Sequence, residues 1–518
     1  MNTFQTQAAI LIIMIPLMSS YAIPLIGWRW KGSAYFIALM AIAASLVCSL
    51  ILLSSVLTQG TIHYHLGGWL PPWGIEYVID PLNGFMGVVV CIISFLVTLS
   101  SKKSVEKELP EKKVRFYTIY LLLFTGLMGI VVTGDVFNLY VFLEIVALTA
   151  YTLIAIGKDE APLASFKYII MGTIGACFYL LGVGYLYIVT GSLNMADLAQ
   201  LLPPLYRSKV VLTAMAFFVI GLSIKIGLFP LHVWLPDAYT SAPSAVSAFI
   251  APLMTKVGCY VMIRIMFTVF KPYFSIELIP VTTILSWIAA VAMIVGSIFA
   301  IVQSDLKRML SYSIVAQIGY IVLGVGLANR AGLTGSLLHI LNETFTNGCL
   351  FSVAGAIVYK LGTSDIYQFS NLFKKMPLTM AAFLMGAFSM VGIPPTCGFF
   401  SKLYLILGSI EARQWVFVAV ILISTLLNVI YFFKVIEIAY FKPRQLATEK
   451  EKEILKVVYA NEGSYKEVAM EAVPISMNEV PLSMLIPILI MAAGILLSGI
   501  FYFDIIAGVI QFAIPSGI

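Results

Sequence analysis

Charge is scarce in this sequence. Asp, Glu, Lys and Arg make up 11% of its 518 residues, where a soluble domain carries about a quarter. That excludes an ordinary water-soluble fold. The six cysteines (Cys48, Cys91, Cys177, Cys259, Cys349 and Cys397) lie in or beside apolar runs without metal-ligand spacing. They read as buried packing residues, so neither a metal site nor an iron–sulfur cofactor is expected. No nucleotide-binding glycine loop, catalytic triad or haem-ligating pair stands out either, so no cofactor and no redox chemistry are expected of this chain itself. The net charge of +6 makes no case for a nucleic-acid partner, because most of so apolar a surface would face lipid. A basic leader with a small-residue cleavage site is missing too, which makes the first apolar run a retained helix.

What the sequence does have is long apolar runs. Hydrophobic residues form 60% of the chain, and the mean hydropathy is +0.99. The runs reach the ~20 residues a spanning helix needs, unlike the short alternating segments of a barrel, and a helix satisfies its own backbone in lipid. The expected fold is an all-α polytopic membrane protein of about fourteen transmembrane helices. They are read at roughly 8–27, 33–57, 80–100, 115–133, 135–157, 163–190, 209–229, 243–270, 281–302, 309–328, 332–361, 377–408, 414–438 and 483–510.

Basic residues set the orientation. Odd-numbered loops hold Arg29, Lys31, Lys102, Lys103, Lys107, Lys112, Lys113, Arg115, Lys158, Lys307, Arg308, Lys360, Lys374, Lys375 and the lysines of 441–480. Even-numbered loops offer only Arg207, Lys209, Lys271, Arg330 and Arg413. The bias places odd loops in the cytoplasm, with the chain crossing a prokaryotic plasma membrane and both termini outside. The polar segment 441–480 is expected to be a cytoplasmic loop or surface helix, either a solvated connector or a docking element for a partner subunit.

Four ionisable residues sit well inside apolar sequence: Glu144, Lys225, Lys256 and Lys402. Each charge at the membrane centre costs ~2.5–3.5 kcal/mol even on the lenient insertion scale. Together they cost on the order of 10 kcal/mol, comparable to the whole stability of a domain. They must face the bundle interior, pair with one another or touch water. Buried ion pairs, or lysines snorkelling to the interface, would meet that need without any function; Lys402 in particular lies close to a proline break. A functional reading uses what lysine adds over serine or asparagine, a proton that burial and a nearby carboxylate push in opposite directions.

Prolines stand beside these lysines. Pro230 and Pro236 follow Lys225, and Pro394 and Pro395 precede Lys402. Each removes a backbone hydrogen bond and clashes with the preceding turn. Freed carbonyls at membrane depth are tolerated only where protein or water satisfies them. Two broken helices in corresponding positions of two halves point to an ion site in an inverted-repeat transporter. The lysine sits before the break in one half and after it in the other, which is read as a mark of inversion. A third stripe, His339, Glu343 and Asn347, repeats every four residues and so shares one helix face. With Asn342 and Thr346 beside it, the stripe fits a hydrated relay. His232 follows Lys225 by seven residues and would lie on a similar face if Pro230 left the helix intact.

At these residues a family becomes recognisable. PLHVWLPDAYTSAPSAVSAFIAPLMTKVGCYVMIR (230–264) resembles the signature of the proton-translocating antiporter-like subunits. These are the D subunit of Mrp-type sodium/proton antiporters and the equivalent membrane subunits of respiratory complex I and of membrane-bound hydrogenases. QSDLKRMLSYSIVAQIGY (303–320) and GIPPTCGFFSKLYLI (392–406) resemble two further motifs of the family, in the same order. The resemblance covers roughly 80–438. It implies fourteen helices, two inverted five-helix repeats and broken helices 7 and 12. It also implies that Glu144, Lys225, Lys256 and Lys402 belong to a central polar axis.

NEVPLSMLIPILIMAAGILLSG (478–499) resembles the last helix of the Mrp D type, and the short remainder leaves no room for the lateral helix of complex I's longest antiporter-like subunit. The D subunit of an Mrp-type cation/proton antiporter is therefore the favoured resemblance. The organisation it implies is 1–114 for helices 1–3, 115–270 and 271–438 for the two repeats, 439–480 for the cytoplasmic loop and 481–518 for the last helix. One departure stands out: many family members carry lysine at the position of Asn347, and often histidine at that of Glu343. Asparagine cannot titrate, so either Glu343 and water replace that lysine or the route between the halves differs.

The expected function is proton translocation within a multisubunit complex, along Lys256, Lys225, Glu343, His339 and Lys402, with His232 nearby and the Glu144–Lys225 pair as an electrostatic switch. The expected partners are other membrane subunits of an antiporter or hydrogenase-like complex, surrounding lipid, and protons. Sodium stays open, because the oxygen-rich cage it would need is not evident. Two rivals remain: a quinone-coupled, complex I-type pumping subunit, and a scaffold subunit with vestigial charges. A solute transporter is disfavoured, since no substrate-sized polar cluster accompanies these groups.

Overall fold

The computed structural model describes residues 3–441, 478–515 and 517–518. The expected loop 439–480 lies almost wholly outside the described residues. The chain folds as a helical bundle in which α1 (Thr3–Gly27) and α2 (Ser33–Gln59) lead into a small antiparallel hairpin, β1 (Ile62–His65) and β2 (Glu76–Ile79). The sequence reading did not anticipate this hairpin. Then come α3 (Pro81–Glu108), α4 (Lys113–Val132), α5 (Val136–Ala155), α6 (Ala161–Thr190) and the short α7 (Met195–Leu201). The chain continues through α8 (Lys209–Ile226), α9 (Trp234–Ser241), α10 (Ser244–Ile263, prolonged by a wider turn to Val269), α11 (Val281–Ile301), α12 (Leu306–Leu327) and α13 (Arg330–Leu361). Its last long helices are α14 (Pro377–Val391), α15 (Cys397–Glu411), α16 (Trp415–Ile436) and α17 (Leu482–Ile500), followed by the short apolar helix Tyr502–Ala513.

Among the described residues, twelve helices are long and apolar enough to cross a membrane. Two expected spans are not among them, for separate reasons. The 32-residue α13 is polar through its middle, at His339, Asn342, Glu343 and Asn347. The span expected at 377–408 is two helices of 15 residues each, α14 and α15, separated by Gly392–Thr396.

Burial follows composition. α10 and α12 are the most enclosed helices, whereas α1, α2, α6 and α16 turn most of their surface outward. The outward faces carry large apolar side chains such as Ile170, Ile174, Leu422, Ile423 and Leu426. On the inner helices small residues allow close approach. Gly258 of α10 is tight against Ile226, and Gly335 of α13 lies against Leu405 of α15.

Two local devices occur twice. Asp135 caps α5 by accepting the Asn138 N–H at 2.6 Å, and Asp305 caps α12 by accepting the Arg308 N–H at 2.9 Å. Around each cap, two backbone bonds tie the helix start to a later loop. Val136 donates to Leu193 and Met195 to Gly134; Leu306 donates to Ser364 and Ile366 to Ser304. In both cases the capped helix and the long helix after it, α5 with α6 or α12 with α13, lie between the tied segments.

Candidate functional site

The second repeated device is the helix break. α8 ends at IGLFP (226–230) and α14 at VGIPP (391–395). Gly227 and Gly392 both adopt left-handed backbone, at φ 72° and 87°. Each ends its helix with the paired bonds of a Schellman motif. Leu228 donates to the Ser223 carbonyl at 3.0 Å and Gly227 to Ile224 at 3.2 Å; Ile393 donates to Phe388 at 2.9 Å and Gly392 to Ser389 at 3.1 Å. Pro230, Pro394 and Pro395 occupy the gaps, where no helical N–H is required. Pro236 does not. It sits in the first turn of α9, where its missing N–H costs nothing, so it helps start the second half rather than break the helix.

A Schellman end leaves the last carbonyls of its helix open. In the second break Lys402 takes them: its Nζ donates to Met390 O at 2.6 Å and Val391 O at 3.2 Å. Asn428 Nδ2 also donates to Met390 O, at 3.2 Å. An ammonium at a helix C-terminus is favoured by the helix dipole as well. Lys402 further lies 4.9 Å from the centroid of the Tyr320 ring. In the first break the Ile224 carbonyl accepts Trp234 Nε1 at 3.0 Å.

Lys225 instead points at α5, where its Nζ stands 2.9 Å from Glu144 Oε1. Its side chain is 7% exposed and that of Glu144 27%. The two break lysines therefore do not occupy equivalent positions. A rotation preserves chain order, so matching Gly227 with Gly392 sets Lys402 against Asp237 and Lys225 against Met390. The before-and-after placement of the lysines is no mark of inversion.

The interior of α10 and α13 carries the rest. Lys256, fully buried, donates to the Ala251 carbonyl at 3.0 Å, beside Pro252 in the same helix. Glu343 is buried at 0% exposure. One of its oxygens accepts from Asn347 Nδ2 at 2.8 Å, and the other has no protein partner. Lys256 and Lys402 both interact electrostatically with Glu343, which makes it the carboxylate common to two buried lysines. One turn away, His339 places Nδ1 2.9 Å from Ser401 Oγ and Nε2 3.0 Å from Gln317 Oε1. With Gln317 so oriented, its carbonyl only accepts, so Nε2 carries the hydrogen and, in the neutral ring, Nδ1 accepts from the Ser401 hydroxyl.

Lys256, Glu343, His339 and Lys402 are thus brought together, and Glu144 with Lys225 forms a separate pair. His232 belongs to neither. It lies buried in the first break among Phe229, Phe299 and Tyr312.

Several buried charges escaped the sequence reading. Arg264, on the turn that prolongs α10, grips Asp80 with two bonds, Nη1 to Oδ2 at 2.5 Å and Nη2 to Oδ1 at 2.8 Å. Lys307, 6% exposed, donates to the carbonyls of Thr240 and Ala242 at the end of α9. Asp237 of α9, only partly buried, pairs with the exposed Lys167 at 2.8 Å and the exposed Arg308 at 3.1 Å. All of these lie at span ends, where sequence alone reads a charge as part of a loop. The available signal was acid and base at opposite ends of apolar runs.

Residues 133–428 match the family described as NADH:quinone oxidoreductase/Mrp antiporter, transmembrane. A NADH-quinone oxidoreductase subunit N from Desulforudis audaxviator is 46% identical over 98% of each chain. The D subunit of a Na(+)/H(+) antiporter from Alkalihalophilus pseudofirmus is 33% identical over 79% of this chain and 82% of its own. Among solved structures, a chain of an archaeal membrane-bound sulfane sulfur reductase superposes with a TM-score of 0.86 at 30% identity, covering 98% of this chain and 97% of that one. A chain of the Mrp complex from Dietzia sp. shares the fold, with a TM-score of 0.85 at 24% identity over 99% and 97%. The chain belongs to the NADH:quinone oxidoreductase/Mrp antiporter transmembrane family.

Proposed function

We propose that this chain is a proton-translocating, antiporter-like membrane subunit of a multisubunit complex. The observation that carries the reading is Glu343: a wholly buried carboxylate shared by Lys256 and Lys402, with one oxygen left without a protein partner. Such a group is costly in a membrane and marks an ion pathway by default. Protons pass between Lys256 and Lys402 by way of Glu343 and His339. Asn347 acts as a hydrogen-bond donor to Glu343 instead of as a carrier. The Glu144–Lys225 pair acts as the switch, since separating it removes the charge that holds a proton on Lys225.

The chain crosses the plasma membrane of a prokaryotic cell fourteen times, counting α13 and the α14–α15 pair as crossings. Both termini lie outside and the lysine-rich loops in the cytoplasm. Residues 115–270 and 271–438 form two repeats. The twinned Asp caps with their loop ties and the twinned helix breaks support this, and five crossings between counterparts invert one repeat relative to the other.

A second reading concerns the source of energy. The near end-to-end relative is named for NADH-quinone oxidoreductase, which favours a redox-driven complex over a stand-alone antiporter. Mass spectrometry of the intact purified complex separates them by the co-purifying subunits. The function itself is tested by reconstituting the complex with Lys225→Ala or Glu144→Ala. Loss of proton transport with assembly retained supports the reading; transport at the wild-type rate contradicts it.

A further inference from the structure

The turn between α9 and α10 is clamped from two sides. Glu108, the last residue of α3, accepts the Ser244 N–H at the start of α10 at 2.9 Å and the Ser104 hydroxyl at 2.8 Å. Lys307, at the start of α12, donates to Ala242 O at 2.7 Å and Thr240 O at 3.2 Å. Glu108 and Lys307 also interact electrostatically. The clamp therefore holds one carboxylate and one ammonium against the backbone of three residues, on the same lysine-rich end of the bundle as Lys107 and Arg308.

Inward from the clamp lies a set of buried polar atoms without protein partners. Among the described residues eleven such atoms are found. Four lie between the clamp and the axis: Ser244 Oγ, Tyr239 OH, Ser352 Oγ and Thr255 Oγ1. Two more, Glu343 Oε1 and Asn347 Oδ1, belong to the axis itself. Ser244 and Thr255 are eleven residues apart on α10, about three turns, so they share a face with Ala248 and Ala251. Ser244 packs against Gly355 of α13, and Tyr239 lies against the Phe351 ring, next in sequence to Ser352. Buried hydroxyls normally find a partner in protein or ordered water. A row of hydroxyl-bearing side chains along two facing helices provides the polar contacts that water requires.

Building on the function proposed above, we infer that Glu108 is the intake carboxylate of this chain, and that protons run from it along Ser244, Tyr239, Ser352 and Thr255 to Lys256 and Glu343. Lys307 acts as a positioning residue that keeps the α9–α10 turn open against Glu108.

Two measurements on the assembled complex in membrane vesicles test this. Ser244→Cys and Ser352→Cys should react with a membrane-impermeant methanethiosulfonate added on the lysine-rich side, above the background of the native cysteines, and not from the opposite side. Glu108→Gln keeps the acceptor for the Ser244 N–H but cannot titrate, and should slow proton transport about tenfold or more; Glu108→Asp should restore much of the rate. Labelling reads water access whether or not the chain pumps, so it separates this route from the function. Absence of labelling at both cysteines overturns the route. Wild-type transport by Glu108→Gln beside an inactive Lys225→Ala overturns the intake while leaving the proposed function standing.

Discussion

The ammonium of Lys402 stands 2.6 Å from the carbonyl oxygen of Met390, across the break in its own helix. The lysine thereby completes a helix end that the Schellman motif leaves open. The break and the charge are one structural unit: without the gap no carbonyls are free, and without the lysine Val391 O loses its donor and Met390 O keeps only Asn428.

That unit depends on Gly392. Its φ of 87° belongs to the left-handed region, and a Cβ there would stand 3.2 Å from Lys402 Cδ. Left-handed backbone costs a non-glycine residue about 1–2 kcal/mol. Gly392→Ala should lower the thermal midpoint of the purified complex. Gly184→Ala on α6, where a Cβ meets nothing within 4 Å, should leave it unchanged or raise it slightly.

Removing one partner of the Glu144–Lys225 pair strands the other. For a fully buried pair the cost is about 3–5 kcal/mol; the partial exposure of Glu144 puts this pair toward the lower end. Single alanine variants should therefore assemble in lower yield than the Glu144→Ala/Lys225→Ala double variant, measured as intact complex on a native gel. Transport should be absent from all three.

Asn347 gives Glu343 its only direct protein hydrogen bond among the described residues. Asn347→Leu removes that bond without changing bulk greatly, and should reduce both assembly and transport. Asn347→Lys introduces the lysine that the family resemblance led us to expect, places a cation against the same carboxylate, and should keep transport at or above the wild-type rate in vesicle assays.

Asp80, just ahead of α3, gives a pH dependence outside the spans. Burial raises the Asp80 carboxyl, but the Arg264 charge and hydrogen bonds, with the N–H groups of Asn83 and Leu82, outweigh burial and hold it below the usual range. A carboxylate depressed in the folded state adds stability above its unfolded value of about 3.9. That stability is lost as pH falls through the folded value. Asp80→Asn should melt below wild type at neutral pH, and the difference should shrink below about pH 4.

Much of this was legible in the sequence because charge inside an apolar run is conspicuous. Glu144, Lys225, Lys256, Lys402 and the 339–347 stripe could be picked out by type and spacing alone. Their pairing could not: nothing in the sequence says that Lys225 meets Glu144 while Lys402 meets backbone. His232 looked equivalent to its neighbours until the break turned it into an aromatic pocket. Pro236 looked like a breaker because sequence does not say where the second half of a helix begins. Arg264, Asp80, Glu108 and Lys307 lie at span ends, where a buried charge and a loop charge read alike. The β1–β2 hairpin was missed because four-residue strands carry too little pattern to register beside long apolar helices.

The central claim is that Glu343 carries protons between Lys256 and Lys402. Glu343→Gln retains size, burial and an acceptor for Asn347, and removes only the titrating oxygen. In the assembled complex in sealed vesicles, with proton uptake followed by a pH-sensitive dye, this variant should assemble as wild type and transport no protons through this chain. Proton transport by Glu343→Gln at the wild-type rate would contradict the account.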